Sequence, residues 1–411
     1  MRSTKAVTVL VLVATGSKYE RREMNGISHF LEHLFFKGTK KRPTTLKIAE
    51  TLDRVGGMYN AFTSKELTGY WTKVASEHLD LALDWVSDIF LNSKLEPPEI
   101  KREKGVIIEE INMHLDTPMR YIEDLWEKLL YGDQAAGWMI YGEKENILRM
   151  QRKHFLDYLK NHYSALNTIV CVAGNVSNAK CKMKNEKLQF KIQKYFRNIT
   201  TKPPRQKVKI IEKQEEPKVL SHFKKTDQTH LCLGVRGYNL GHPQKYAQEI
   251  IATILGESMS SRLFISIRER KGLAYYVRTL SELYTDSGYL ITQAGVPHKN
   301  AREVINLILK EYKNIRQKKV PQAELQKAKD YLKGNLTLSL ESSDVQASFY
   351  AGQELLTGKI LTPKEKFAKI DKVTVNDVQK VAQEIFKPEK LNLALIGPHK
   401  DKAKFQKLLK I

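Results

Sequence analysis

Cysteine is scarce. Cys171, Cys181 and Cys232 are the only three in 411 residues, an odd number with no C-x-x-C spacing. This excludes a disulfide framework and a cysteine-ligated zinc site, and it suits a reducing cytoplasm. Long apolar runs are also missing. Nothing approaches the roughly 20 apolar residues that a transmembrane helix needs, and no small-residue cleavage site follows the apolar stretch from Ala6 to Ala14. That stretch, with its Val-Thr-Val-Leu-Val pattern of branched residues, reads as a buried strand, and no membrane association is predicted. Acidic residues run short against basic ones, 46 against 69, for a formal charge of +23. The lysines and arginines are scattered, densest over 180–225 and 310–333, with no single basic block and no interleaved aromatics of the kind that single-strand binders use. Solvated lysine-rich faces account for them and no specific nucleic-acid partner is predicted, although a basic surface attracts polyanions without any motif.

What is present is a globular composition, 41% hydrophobic and 28% charged, with length for two domains. The most informative stretch is Gly26-Ile-Ser-His29-Phe30-Leu31-Glu32-His33-Leu34-Phe35-Phe36. On a helix, His29 and His33 stand one above the other, as two ligands of one ion must, and Glu32 falls beside them. A neutral imidazole is a good zinc ligand, and a carboxylate held just off the metal can take a proton from a water whose pKa zinc lowers to about 7. The order His-x-x-Glu-His is the inverted form of a zinc-peptidase motif. Five residues can match by chance, so the flanks matter. Phe30, Leu31, Leu34, Phe35 and Phe36 make this helix apolar nearly all round and predict its burial, where two imidazoles and a carboxylate are costly unless a metal partners them.

Downstream, a basic turn at 37–43 leads to a helix over 45–55, strands at 58–64 and 66–74, a helix over 78–90, and a further helix opened by Pro97-Pro98 and running to about His114. This last helix holds Glu103, Glu109 and Glu110. A zinc with two His ligands and a catalytic water needs one carboxylate more. Glu103 and Glu110 share a face but lie about 10 Å apart along the axis, so one should be the ligand and the other a supporting partner, while Glu109 points about 100° away. Helix geometry alone leaves the choice between Glu103 and Glu110 open.

His29-Phe-Leu-Glu-His33, preceded by Asn25-Gly26 and followed by Glu103-Lys-Gly-Val-Ile-Ile-Glu-Glu110, resembles the pitrilysin or insulinase family of zinc peptidases, and most closely the branch that includes the mitochondrial processing peptidase. In that family the third ligand lies 77 residues past the second His, which here is Glu110. The resemblance thus implies one zinc ion per chain held by His29, His33 and Glu110, with Glu103 as the supporting carboxylate. It implies that Glu32 is the base, donating afterwards to the leaving amine. Gly57-Met-Tyr-Asn60-Ala61-Phe62-Thr63 resembles the family's edge strand, which pairs with an extended peptide substrate. Ser260-Ser-Arg-Leu-Phe-Ile-Ser-Ile-Arg268-Glu-Arg-Lys-Gly-Leu-Ala-Tyr275 resembles the segment whose Arg and Tyr donate to the peptide and its developing oxyanion, which implies those roles for Arg268 and Tyr275.

The outline of strand, helix, glycine turn, strand and helix from Val7 to Phe90 recurs from His230 to about Ile315, and Asn167–Gly174 is echoed by Asn392–Gly397. A period of roughly 220 residues is too long for a solenoid and predicts two similar domains. The expected fold is α+β, two domains of one topology, each a mainly antiparallel sheet packed with helices. The catalytic domain is placed at 1–200, a charged linker with Pro203-Pro204 at 201–217, and a non-catalytic repeat at 218–411. Family members usually begin about twenty residues earlier, with a strand beside the one that starts near Ala6, so the expectation is either a misassigned start or an uncovered sheet edge there. The expected function is zinc-dependent endopeptidase action on extended or unfolded peptides, as a homodimer or beside a homologue. The competing readings are a non-hydrolytic partner subunit of a processing-peptidase-like pair, and a basic nucleic-acid-binding protein with a chance motif.

Overall fold

The strand that reads as buried, Ala6–Val13 (β1), is the middle of a sheet, and all but its first residue are buried. A computed structural model describes residues 4–176 and 185–411 and divides the chain into two compact units. In the first unit the sheet order is β2-β3-β1-β4, with β2 at Met58–Thr63, β3 at Thr68–Ala75 and β4 at Thr168–Gly174, all antiparallel. The register runs from Ala6 opposite Ala75 to Val13 opposite Thr68, and from Val7 opposite Gly174 to Val13 opposite Thr168. Strand periodicity then sends Val7, Val9, Val11 and Val13 to one face and Thr8, Leu10 and Leu12 to the other. Helix α3 (Leu79–Asn92) covers the valine face. Helix α12 (Ser343–Thr357) covers the other: Leu10 and Leu12 pack on Ala347 and Ala351, whose small side chains let the helix come close, and Thr8 Oγ1 hydrogen-bonds Ser343 Oγ at 2.8 Å. A fully buried leucine contributes about 1.5–3 kcal/mol, so both faces of β1 stabilise the unit.

The second unit repeats the pattern. Its order is β5-β9-β6-β8-β7, with β5 at Lys218–Phe223, β6 at Thr229–Arg236, β7 at Tyr276–Leu283, β8 at Gly288–Val296 and β9 at Leu391–Gly397. Strands β9-β6-β8-β7 match β4-β1-β3-β2, and β5 adds parallel to β9. Leu231, Leu233 and Val235 face a core built with α9 (Lys245–Ala252), α10 (Ala301–Gln317) and α14 (Val375–Ile385). Cys232, Ile291, Ala394 and Ile396 face Ile122, Leu125 and Trp126 of α5 (Pro118–Tyr131).

The expected α+β class and the two-domain repeat are therefore present, but the boundaries differ from the contiguous split at 200 and 218. Among the described residues, the first unit takes in the chain to Asn112, Trp138–Val208 and Leu338–Ile360, and the second takes in Met113–Gly137, Lys209–Thr337 and Leu361–Ile411. Helix α5, from the first half of the sequence, belongs to the second unit, and α12, from the second half, belongs to the first. The physical reason is that each central strand is apolar on both faces, and each sheet takes the cover for its second face from the other half of the chain.

The expected open edge beside Ala6 is also relocated. Strand β1 is paired on both sides, and the edges of the first sheet are β2 and β4. Cys171 and Cys232 are free thiols, while Cys181 and Met1–Ser3 lie outside the described residues. No helix of the described residues is long and apolar enough to cross a membrane.

Candidate active site

The motif helix is α1, Ile27–Leu34, and it is buried as its apolar flanks require. The residue just before it, Gly26, has φ +98°, and a Cβ there would meet Tyr141 O at 2.6 Å and Gly142 Cα at 2.9 Å, so only glycine allows the two backbones this approach. The helix has no cap of its own. Glu20 supplies one from six residues upstream: Oε2 accepts from the N–H of Gly26 at 2.8 Å and Oε1 from that of Ser28 at 2.9 Å. Burial raises the Glu20 carboxyl, and the bonds from Ser28, Gly26 and Asn25 oppose that rise. A carboxylate at this end also complements the helix dipole. Across the helix, Ser28 Oγ hydrogen-bonds Tyr158 Oη at 2.8 Å, from α7 (Arg152–His162).

On this helix His29 Nε2 and His33 Nε2 face each other at 3.3 Å. Helix α4 (Pro97–Leu115) brings Glu110 Oε2 to 3.5 Å from His29 Nε2 and 3.4 Å from His33 Nε2. A tetrahedral zinc ion with bonds of about 2.0–2.1 Å keeps its ligand atoms about 3.3 Å apart, so these three atoms fit three corners of one such site. Glu103, one face and two turns back on α4, is 2% exposed and accepts from His33 Nδ1 at 2.9 Å. That bond fixes the His33 tautomer and leaves Nε2 with its lone pair toward Glu110. Lys37, just past α1, reaches the other Glu103 oxygen at 2.7 Å. Glu109 is exposed and outside the cluster, as its angular position on the helix requires.

The electrostatics agree with a cation site. Burial works against charge on His33, but Glu103 and Glu110 outweigh it and lift its pKa to about 9. Bonds from His29 and His33 hold the Glu110 carboxyl well below the usual carboxylate range. For Glu103, burial pushes upward, while His33 and Lys37 prevail and keep it low. The pocket holds positive charge strongly, and a dication satisfies it better than one proton. His29 differs from His33: its buried Nδ1 has no hydrogen-bond partner among the described residues, and its ring packs edge-on against Tyr141 with centroids 5.0 Å apart.

Glu32 lies outside this cluster of three. Its Oε2 accepts from Thr63 Oγ1 at 2.6 Å. Thr63 ends β2, which is an edge strand as expected. In that strand the Ala61 N–H donates to Asn60 Oδ1 at 2.9 Å, and the half-buried Phe62 ring packs against the core beneath α12. The structure thus brings His29, His33, Glu110, Glu103, Glu32 and Thr63 together. In the second unit it brings Arg268 and Tyr275 to each other: the guanidinium carbon lies 5.8 Å from the Tyr275 ring centre and 4.9 Å from that of Phe264. Arg268 sits in a π-helical segment, Phe264–Glu269, and Tyr275 is 77% exposed. Wide helical turns of this kind are frequent at functional sites.

Glu20, Lys37, Tyr141 and Tyr158 were missed in the sequence, and so was the side-chain role of Thr63. Only Lys37 carried a local signal, a cation four residues past His33. Thr63→Val should lower kcat about 10- to 100-fold, the worth of a hydrogen bond to a charged group, with metal content unchanged and activity restored in Thr63→Ser. Steady-state kinetics beside metal analysis checks this, and an unaffected Thr63→Val enzyme would show that the bond does not position Glu32.

Comparison with known proteins gives concordant results. The family described as "Insulinase (Peptidase family M16)" matches residues 1–143, and "Peptidase M16 inactive domain" matches 149–332. A Bacillus subtilis protein named an uncharacterized zinc protease is 37% identical over 96% of this chain and 94% of its own length. A Rickettsia felis protein of the same description is 34% identical over 96% of this chain and 93% of its own. A crystal structure described as a protease from Helicobacter pylori superposes with a TM-score of 0.88 at 24% identity, covering 96% of this chain and 94% of that one, which shows a common fold.

Proposed function

The chain belongs to the insulinase family of peptidases, M16, and from that premise we propose that it is a zinc-dependent endopeptidase acting on extended peptides. The observation that carries the proposal is the convergence of His29 Nε2, His33 Nε2 and Glu110 Oε2 within 4.8 Å of one another, with the Glu32 carboxylate on the same helix. Zinc held by these three would lower the pKa of a water to about 7 and polarise the peptide carbonyl.

The remaining chemistry falls to the chain's own residues. Glu32 Oε2 is held by Thr63, so Oε1 takes the proton of the attacking water and passes it to the leaving amine nitrogen. Glu103 keeps His33 in one orientation, with Lys37 behind it. The free edge of β2 around Asn60 and Ala61 pairs with the backbone of an extended segment, which favours unfolded peptides over folded proteins. For Arg268 and Tyr275 the proposed role is donation to the peptide, supported by their pairing and by the exposed Tyr275 phenol. The proposed location is a reducing cytoplasm, supported by free Cys171 and Cys232 thiols that burial pushes upward, Cys171 to about 11.

Digestion of an unstructured peptide library by the purified chain, read by mass spectrometry, tests the proposal. Cleavage at internal bonds that stops with chelator and returns with zinc is expected, alongside about one zinc per chain. A folded chain that takes up no zinc and cleaves nothing would overturn it.

A further inference from the structure

On the side of α1 away from the metal ligands, the first unit contains a cavity of about 680 Å³ that the peptidase chemistry does not use. Two arginines line it, Arg21 and Arg205, both exposed and neither in an ion pair among the described residues. His162, the last residue of α7, lines the same cavity, is 5% exposed, and has a buried Nδ1 with no hydrogen-bond partner among the described residues. Its ring is stacked on Tyr158 with centroids 4.2 Å apart and meets Tyr19 edge-on at 6.4 Å. A buried imidazole without a partner is costly unless something else supplies one. Burial, then the charges of Arg205 and Arg21, push the His162 pKa down to about 4, so it faces the cavity neutral. Two carboxylates also line the space: Glu20, whose oxygens are both bonded to the start of α1, and Asp157, which is exposed. The groups left without a protein partner among the described residues are therefore two guanidiniums, one imidazole and the exposed Asp157 carboxylate, so positive charge is in excess. The volume is that of a site for a small molecule.

We propose that this cavity binds a small organic dianion, a phosphate or dicarboxylate group held by Arg21 and Arg205 with His162 behind it, as a site separate from the metal cluster. Guanidinium forks match both groups in a bidentate manner. The occupant would also touch what holds α1 in place, since Ile27 and Tyr158 line the cavity and Tyr158 is bonded to Ser28, next to His29.

Isothermal titration of the full zinc-loaded chain with phenyl phosphate and with malonate, at constant ionic strength and with chloride as the monoanion control, tests this. One saturable site is expected for at least one of the two dianions, and the tighter of them assigns the class. The same binding should appear in metal-free protein, and Arg21→Gln and Arg205→Gln should each weaken it about tenfold or more, the loss of one charge-assisted pair. Both are surface changes away from the catalytic residues, so peptide cleavage without the dianion should be unchanged. Lys202→Gln, an exposed cation removed nearby, should leave binding as it was. The proposal fails if neither dianion saturates, if binding vanishes with the zinc and so belongs to the metal, or if Lys202→Gln weakens it as much as the two arginine variants do, which would reduce it to diffuse attraction by the net charge.

Discussion

Glu32→Gln should retain one zinc per chain and lose about 10²–10⁴ in kcat, the range that a general acid–base group supplies. The substitution keeps the shape of the side chain and a carbonyl oxygen for Thr63 Oγ1–H to reach, so the local geometry has no reason to change. It leaves His29, His33 and Glu110 intact. What it removes is the only carboxylate of the cluster that neither faces the other two ligand atoms nor accepts from His33, and with it the proton acceptor. Metal analysis beside turnover of an internally quenched peptide separates the two effects. A fully loaded variant that cleaves at near-normal rate would mean that another group takes the proton.

Glu110→Gln should cost more than about 100-fold in zinc affinity, because it deletes an anionic ligand whose oxygen lies 3.4–3.5 Å from both imidazole nitrogens. Glu103→Gln should cost about 10- to 100-fold, the usual range for a group that orients a ligand without touching the metal. In that variant His33 loses its anionic acceptor and Lys37 its carboxylate partner, while all three ligands stay. Competition against a chromophoric chelator ranks the two. If Glu103→Gln proved the more damaging, the two glutamates would have to exchange roles.

The motif helix was legible because its residues are local in sequence: His29, Glu32 and His33 declare their geometry through helical spacing, and the flanking phenylalanines declare its burial. The pairing of Glu103 and Glu110 was legible for the same reason, since seven residues on one helix fix both a common face and an axial separation that one ion cannot span. What lay beyond helical spacing was anything that depends on another element's approach. Glu20 reaches α1 from a preceding turn, Tyr158 reaches it from a helix more than 120 residues on, and Thr63 turns its hydroxyl to Glu32 from the end of a strand. Nothing in the local pattern around these residues marks them. The repeat followed from alternation and from the echo of Asn167–Gly174 in Asn392–Gly397, while the order of strands within each sheet did not. The domain boundaries did not follow, because an amphipathic helix such as α5 shows that it has an apolar stripe without showing which sheet the stripe covers.

That exchange of helices constrains how the chain can be made. By the time Gly174 has emerged from the ribosome, all four strands of the first sheet exist, yet α12, which covers Leu10, Leu12, Phe62 and Trp71, ends only at Thr357. At about 5–20 residues per second, translation of the intervening segment takes roughly 10–40 s. Throughout that interval the nascent sheet carries a bare apolar face, a natural target for a ribosome-associated chaperone. A gene split between the two halves of the sequence would leave the first fragment's sheet without α12 and the second fragment's sheet without α5, so the two fragments should be insoluble when made apart and recoverable when co-expressed.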